Sequence, residues 1–280
     1  MNHKMKNIKF IFFFFLIFSQ NIFSAQETYF KDLQPQPPAT LRIASYNLFW
    51  KNGSCKPHKF NITTHIIKKI DADIILLQET TRSWKRCLNR ELSHMYPYKK
   101  YKHHLDAGGL AILSKYPIKS EKYLSSMKHL RHPGWLLTAK TKFGNIEILN
   151  IHLRPSVDRQ NRIGFLGHEL FEGPSDRSQE MRYLYQYVSI HRPTIIAGDF
   201  NESYGSATLL LTYNGWRNAL SLEDKDVSTW HWKVGPITLK QQYDKIFLSP
   251  HFRVINAQVL HEGLSDHYPV IVDLKKISFY

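Results

Sequence analysis

Six short segments of this chain concentrate residues able to bind metal ions or move protons. They are Ser45-Tyr46-Asn47-Leu48, Leu77-Gln78-Glu79-Thr80, Asn150-Ile151-His152-Leu153, Gly198-Asp199-Phe200-Asn201, Tyr243-Asp244-Lys245-Ile246 and Ser265-Asp266-His267-Tyr268-Pro269. All sit at the ends of apolar runs, where a strand leaves the core and its last side chains point into a cleft. Singly, each has an ordinary structural reading: Asn47 bonding its own turn, Glu79 the first exposed residue after a buried strand, His152 a satisfied core histidine, Asp244 and Lys245 a surface pair. In combination they supply a chemistry. Asp199 and Asn201 are two apart, so in extended backbone both project to one side and hold one phosphate, water or metal between them. Asp266-His267 couples a hard oxygen ligand to a proton carrier, and Glu79 adds a second carboxylate. Carboxylate and amide oxygens with few soft ligands favour Mg²⁺ or Mn²⁺ over zinc.

Those segments need elements to hold them. Apolar, β-branched or aromatic runs at 41–48, 73–78, 109–114, 135–142, 145–152, 194–198, 242–248 and 270–274 predict strands. Ile62, Ile66, Ile67 and Ile70 share a helical face over 60–70; Met181, Leu184, Tyr185 and Val188 do so over 176–190, after Gly173-Pro174-Ser175. Strand, helix and strand over 41–78 make a βαβ unit with parallel strands. The runs 135–142 and 145–152 flank Phe143-Gly144 as an antiparallel hairpin. So many strands, mixed in direction and with helices to cover them, predict an α/β protein of two mixed β-sheets packed face to face beneath helical outer layers.

The chain has 280 residues, 42% hydrophobic and 22% charged, which excludes a disordered or collagen-like protein and permits a packed core. No internal repeat or second linker appears, so one domain over 41–280 follows a proline-rich linker over 26–40 that carries Gln34-Pro35-Gln36-Pro37-Pro38. Residues 1–25 read as a cleavable export signal: Lys4, Lys6 and Lys9 precede the apolar run 10–18, too short to span a bilayer, and Ser24 and Ala25 follow. Export to the periplasm or beyond places Cys55 and Cys87 in an oxidising compartment, where a disulfide competes with a pair of free thiols. With no CxxC spacing they do not form a zinc site. The formal charge is +15, and without residues 1–25 it is +12, from 35 basic against 23 acidic side chains. Such a balance favours polyanions: nucleic acid, anionic membrane or phosphorylated small molecules.

The polar segments, with Gly-Gly-Leu-Ala-Ile-Leu-Ser-Lys-Tyr-Pro-Ile at 108–118, resemble in order the motifs of the endonuclease/exonuclease/phosphatase superfamily. That group contains deoxyribonucleases, abasic-site nucleases, sphingomyelinases, inositol phosphatases and tyrosyl-DNA phosphodiesterases. The likeness runs through almost all of the chain after residue 40. It implies a four-layer α-β-β-α sandwich and an Mg²⁺-dependent, or Mn²⁺-dependent, phosphodiester hydrolase. Carried over by position, Glu79 becomes the principal metal ligand with Asn47 and Asp266 beside it. Asp199 and Asn201 position the attacking water and the phosphate. His267, oriented by Asp244, contacts the scissile phosphate or takes a proton, and His152 is the second catalytic histidine. Asn150 and Arg154 are expected to contact substrate.

Abasic-site nucleases usually carry tyrosine in place of His152, so this chain looks more like the deoxyribonuclease, sphingomyelinase or phosphodiesterase members. Lys245, unusual after Asp244, either adds substrate affinity or is solvated. Thr229-Trp230-His231-Trp232 is a candidate stacking rim or a piece of core. Lys99, Lys100, Lys102, His103 and His104 are a candidate polyanion-binding loop or a solvated charge run. The expected substrate is a phosphodiester, nucleic acid ahead of phospholipid, with no obligate protein partner. The alternatives are a secreted sphingomyelinase- or phospholipase C-type enzyme and a catalytically silent polyanion-binding module of the same fold.

Overall fold

The computed structural model describes residues 33–52, 57–104, 106–126, 128–155, 176–220 and 227–277. The segment 1–25 read as an export signal, the first part of the proline-rich linker and Cys55 lie outside the described residues. Cys87 is disulfide-bonded. The chain divides into Met1–Pro35 and the unit Gln36–Tyr280, which carries all the elements that follow.

Two six-stranded sheets dominate that unit. In the first, β13 (Phe252–Val259), β14 (Val270–Lys276), β1 (Leu41–Asn47), β2 (Ile74–Gln78), β4 (Leu110–Ser114) and β3 (Tyr98–Lys102) are neighbours in that order. In the second the order is β5 (Ile118–Leu124), β6 (Gly134–Thr141), β7 (Gly144–His152), β8 (Thr194–Asp199), β12 (Asp244–Leu248) and β9 (Arg217–Asn218). Strands β10 (Trp230–Val234) and β11 (Ile237–Gln241) form a separate hairpin. The βαβ unit forms as predicted, with β1 and β2 parallel on either side of α1 (Pro57–Ile70), and β6 and β7 pair as the predicted antiparallel hairpin. With helices outside both sheets, the architecture is the four-layer α-β-β-α sandwich.

The period of two along each strand explains why a core and a polar site share one space. Leu41 and Ile43 of β1, Ile74 and Leu76 of β2, Ile146 and Ile148 of β7, Ile195 and Ala197 of β8, and Ile246 and Leu248 of β12 pack in a single cluster between the sheets. Each leucine and isoleucine among them contributes about 1.5–3 kcal/mol by leaving water. Continuing in steps of two along the same face reaches Ser45 and Asn47, Gln78, Asn150 and His152, and Asp199. Asp244, at the start of the antiparallel β12, lies opposite Asp199 in register. The interior of the sandwich therefore turns polar at one end of five strands at once. Close approach of β7 and β8 there requires Gly198, whose φ is +147° and where a Cβ would stand 1.9 Å from the Ile151 carbonyl oxygen.

Elements beyond the sequence reading complete the layers. Helix α2 (Arg82–Leu92) is rich in charge, yet buries Trp84, Cys87, Leu88 and Leu92 along one side, and its Trp84 N–H is capped by Thr81. Helix α4 (Ser206–Tyr213) packs Ala207 and Leu211 with Met181 and Leu184 of α3 (Asp176–Tyr185) against Leu149, Ile151 and Ile196 of the second sheet. The helix predicted over 176–190 stops at Tyr185, so Val188 reaches the same cluster from the following turn. The edge strands β3, β5 and β13 are polar enough that their alternation was not legible.

Candidate active site

A buried polar floor closes the apolar core beneath the site. Gln78 donates to the Asn150 side-chain oxygen at 2.8 Å, and Asn150 donates to the carbonyls of Leu77 and Ala111, both at 3.2 Å. Asn150 is thereby a tie between the two sheets, wholly buried with its amide fully engaged. Expected to contact substrate, Asn150 here has its side chain buried between the sheets and its amide spent on protein partners.

Above this floor one oxygen organises the cluster. Asp199 Oδ2 accepts a hydrogen bond from Asn47 Nδ2 at 3.0 Å and lies 3.5 Å from His152 Nε2 and 3.6 Å from His267 Nε2. Asn47 also donates to Glu79 Oε1 at 3.1 Å, and the Trp50 N–H holds Glu79 Oε2 at 2.8 Å. Each histidine has its other nitrogen committed. His152 Nδ1 faces the Ala107 carbonyl at 3.1 Å, and His267 Nδ1 faces Asp244 Oδ2 at 2.7 Å. A carbonyl or carboxylate oxygen only accepts, so both Nδ1 atoms carry the proton and both Nε2 atoms are presented to the same side of Asp199. Asp244 is in turn held by the Thr229 hydroxyl oxygen, which accepts its backbone N–H at 2.8 Å.

Asn201 differs from the expected geometry. Its φ is +52°, so it does not project beside Asp199 as an extended strand residue would. Instead its N–H turns back to Asp199 Oδ1 at 2.8 Å and its amide donates to the Leu153 carbonyl, also at 2.8 Å. Glu79 and Phe49 share this left-handed backbone, at +56° and +54°. Three non-glycine residues in that region at the mouth of the sandwich are backbone strain stored where the functional side chains are aimed.

Burial and charge set the protonation of the site. Burial alone pushes the His267 imidazole down, but Asp244 and Asp199 together outweigh it and raise the ring to about 10. Burial also drives the Asp244 carboxyl upward against the pull of His267. The two shifts describe one proton shared across a short bond, and it resides on the imidazole, where two carboxylates favour the cation.

The donor chemistry fits a hard cation. Glu79, Asp199, Asp244 and Asp266 bring four carboxylates to a site with two imidazoles, an arrangement that repels an anionic substrate unless a cation compensates. Asp266 Oδ1 is buried and has no hydrogen-bond partner. Asp199, Asp244 and His267 also place one ligand atom each within 4.8 Å of one another. Within that group Asp244 Oδ2 is bonded to His267 Nδ1, while Asp244 Oδ1, like Asp266 Oδ1, is buried without a hydrogen-bond partner.

Two further groups brace His152 and were missed in the sequence. The His132 ring stacks on His152 with centroids 4.4 Å apart and planes 17° apart, and burial pushes its basicity down to about 2, so it is neutral. Glu180, buried on α3, accepts the backbone N–H of Arg131 at 2.6 Å and of Arg154 at 2.8 Å, pinning the loops on either side of the histidine stack. Local pattern gave little signal for either, because both act through contacts between distant segments. Arg154 itself is directed to Asp176. Lys245 is neither solvated nor in the cleft: it faces away from Asp244, fully buried, and donates to the carbonyls of Gln242 and Glu202. Burial lowers it to about 8.

The hairpin β10–β11 is rooted in the site. Trp230 bridges to His267, and the His231 N–H donates to the Asp266 carbonyl at 2.9 Å. Beyond that root Trp232 and Ile237 are 45% and 62% exposed, so Trp232 stands outside the core.

Comparison with known proteins agrees with this geometry. The model of the Endonuclease/Exonuclease/phosphatase family matches residues 44–267. No curated protein matches the chain. Among solved structures, an endonuclease/exonuclease/phosphatase from Beutenbergia cavernae superposes with a TM-score of 0.66 at 16% identity, covering 85% of this chain and 72% of that one. D. rerio TDP2, complexed with single strand DNA product, gives 0.64 at 15% identity, covering 85% of this chain and all (100%) of that one. SmcL gives 0.61 at 18% identity, again covering 85% and 100%.

Proposed function

Because this chain belongs to the endonuclease/exonuclease/phosphatase family, a family of metal-dependent phosphoric ester hydrolases, we propose that it is an exported, Mg²⁺-dependent phosphodiesterase acting on nucleic acid. The observation that carries the reaction is the convergence of Asn47, His152 and His267 on Asp199 Oδ2. Glu79, Asn47 and Asp266 would hold the cation. When bound, Mg²⁺ neutralises charge on the phosphoryl oxygens. Asp199 accepts a proton from the attacking water and orients it, assisted by the backbone turn at Asn201. His267, kept cationic by Asp244, donates its Nε2 proton to a phosphoryl oxygen or to the leaving oxygen. His152, whose Nδ1–H is fixed on Ala107, meets the phosphate from the other side through Nε2.

The charge of +12 without residues 1–25 supports nucleic acid among phosphodiesters, and the lysine-led apolar segment within 1–25 supports export. Hydrolysis of plasmid DNA, RNA, sphingomyelin vesicles and bis-p-nitrophenyl phosphate, each with Mg²⁺ and with EDTA, tests the reading. Metal-dependent cleavage of DNA or RNA is expected. Release of a phosphorylated headgroup in their place would move the protein to the phospholipase C-type reading, which the exposed Trp232 and Ile237 beside the site favour. Cell fractionation with and without residues 1–25 tests export.

A further inference from the structure

We propose that a second, basic groove at the open edge of the sandwich binds the backbone of a single-stranded polynucleotide and leads it to the active site; the proposal rests on the nuclease reading above. The groove holds about 590 Å³ and runs between α2, the edge strand β3 of one sheet and the edge strand β5 of the other. Lys85, Lys99, Lys100 and Lys102 line it, and Glu121 is its single acid. Glu121 lies 3.2 Å from Lys100 Nζ and 3.7 Å from Lys102 Nζ, so one carboxylate answers two ammonium groups and the wall keeps a net positive charge. Lys85 stands 5.7 Å over the Tyr101 ring, and Lys102 5.5 Å over that of Trp135, which holds both amines at the groove.

The groove and the site are joined through two strands. Trp135, in the groove, pairs with Asn150 in register, and His152 follows two residues later. Strand spacing and rise put these positions roughly 8 Å apart. From Lys102 the chain continues through the turn Asp106–Gly108, whose Ala107 carbonyl holds His152. The segment that walls the groove thus runs on into the turn that holds His152, and this is the course assigned to the bound strand. Lysines on an edge strand also prevent strand-to-strand aggregation, but Lys85 on α2 has no part in that role. A concave groove walled by a helix and a strand admits a narrow polymer, whereas a flat anionic bilayer cannot reach its floor.

The test is the binding of a fluorescein-labelled 20-nucleotide single strand, followed by anisotropy in EDTA across a salt series. The variant carries Lys85→Gln, Lys100→Gln and Lys102→Gln. Three lost phosphate contacts flatten the slope of log K against log salt by about 2, which weakens binding about 100-fold at 0.1 M salt relative to 1 M. Turnover of bis-p-nitrophenyl phosphate with Mg²⁺ stays unchanged, because none of the three touches the reacting atoms. Glu121→Gln acts in the opposite direction and tightens binding, which keeps the proposal exposed to refutation if the triple variant folds poorly. An unchanged slope, or an Glu121→Gln variant no tighter than wild type, overturns it. So does loss of binding to phosphatidylserine vesicles with oligonucleotide binding intact. Failure of the nuclease reading is separate: it appears as no nucleic-acid hydrolysis with metal, while the binding in EDTA still decides the groove.

Discussion

His132 makes the clearest single test of how the site is braced, because its two contributions separate in two substitutions. It is 7% exposed, its Nδ1 has no hydrogen-bond partner, and burial, followed by the charges of His152 and Arg131, lowers it from the usual histidine range to about 2. A histidine lowered in the fold binds its proton only in the unfolded chain. Its stabilising effect is present above the unfolded value near 6.5 and is lost as pH falls toward 2. At about 1.4 kcal/mol per pH unit, going from pH 6.5 to 4.5 costs up to about 3 kcal/mol from this one group. His132→Phe keeps a ring on His152 but cannot titrate, so in urea unfolding in EDTA at the two pH values the loss should be smaller in the variant by up to about 3 kcal/mol, the rest coming from other histidines lowered by burial such as His231 and His261. His132→Ala removes the stack. An aromatic pair of this geometry contributes about 0.5–1.5 kcal/mol, so freeing His152 lowers kcat roughly 2- to 10-fold while KM holds. An acid-stability slope as steep in His132→Phe as in wild type, or an unchanged kcat in His132→Ala, would refute the reasoning.

Asp244→Asn leaves the shape of the His267 pair but removes the carboxylate that keeps its tautomer and charge, and kcat should fall about 10²–10⁴-fold in steady-state assays of a chromogenic diester. Glu79→Gln removes a ligand charge, so Mg²⁺ affinity measured by calorimetry on the unliganded protein should weaken about 10- to 100-fold along with the loss of turnover. Asn150→Ala strands the buried Gln78 amide and two carbonyls, costing about 2–4 kcal/mol in chemical unfolding with no change in KM. A large rise in KM in that variant would restore a direct substrate role to Asn150.

Much of the architecture was legible because strands of this fold are written with unbroken apolar runs. The runs at 41–48, 145–152 and 194–198 predicted strands, and the polar segments at the ends of such runs predicted that the functional side chains lie where strands leave the core. The edge elements were illegible for the opposite reason. Strand β3, with three lysines in five residues, and helix α2, with a charged surface and one buried stripe, carry patterns that only their neighbours make meaningful. Asn201 shows the limit of spacing arguments: two residues apart means one side only if the backbone is extended, and a φ of +52° withdraws that premise.

Residue type and order alone therefore account for the chemistry on offer: oxygen ligands for a hard cation, two histidines, and a cationic surface suited to polyanions. Their roles were assigned by folding. Asn150 and Asn47 are the same amide on equivalent strand faces, yet one is sealed between sheets and the other faces Glu79 and Asp199. Lys245 follows Asp244 directly, yet the pleat turns it into the interior behind the site. His132 and Glu180 carry no motif and become supports only because loops far apart in the chain close on them. Burial, backbone handedness and long-range contact decide which polar side chain meets the cleft, and none of the three is a property of a short segment.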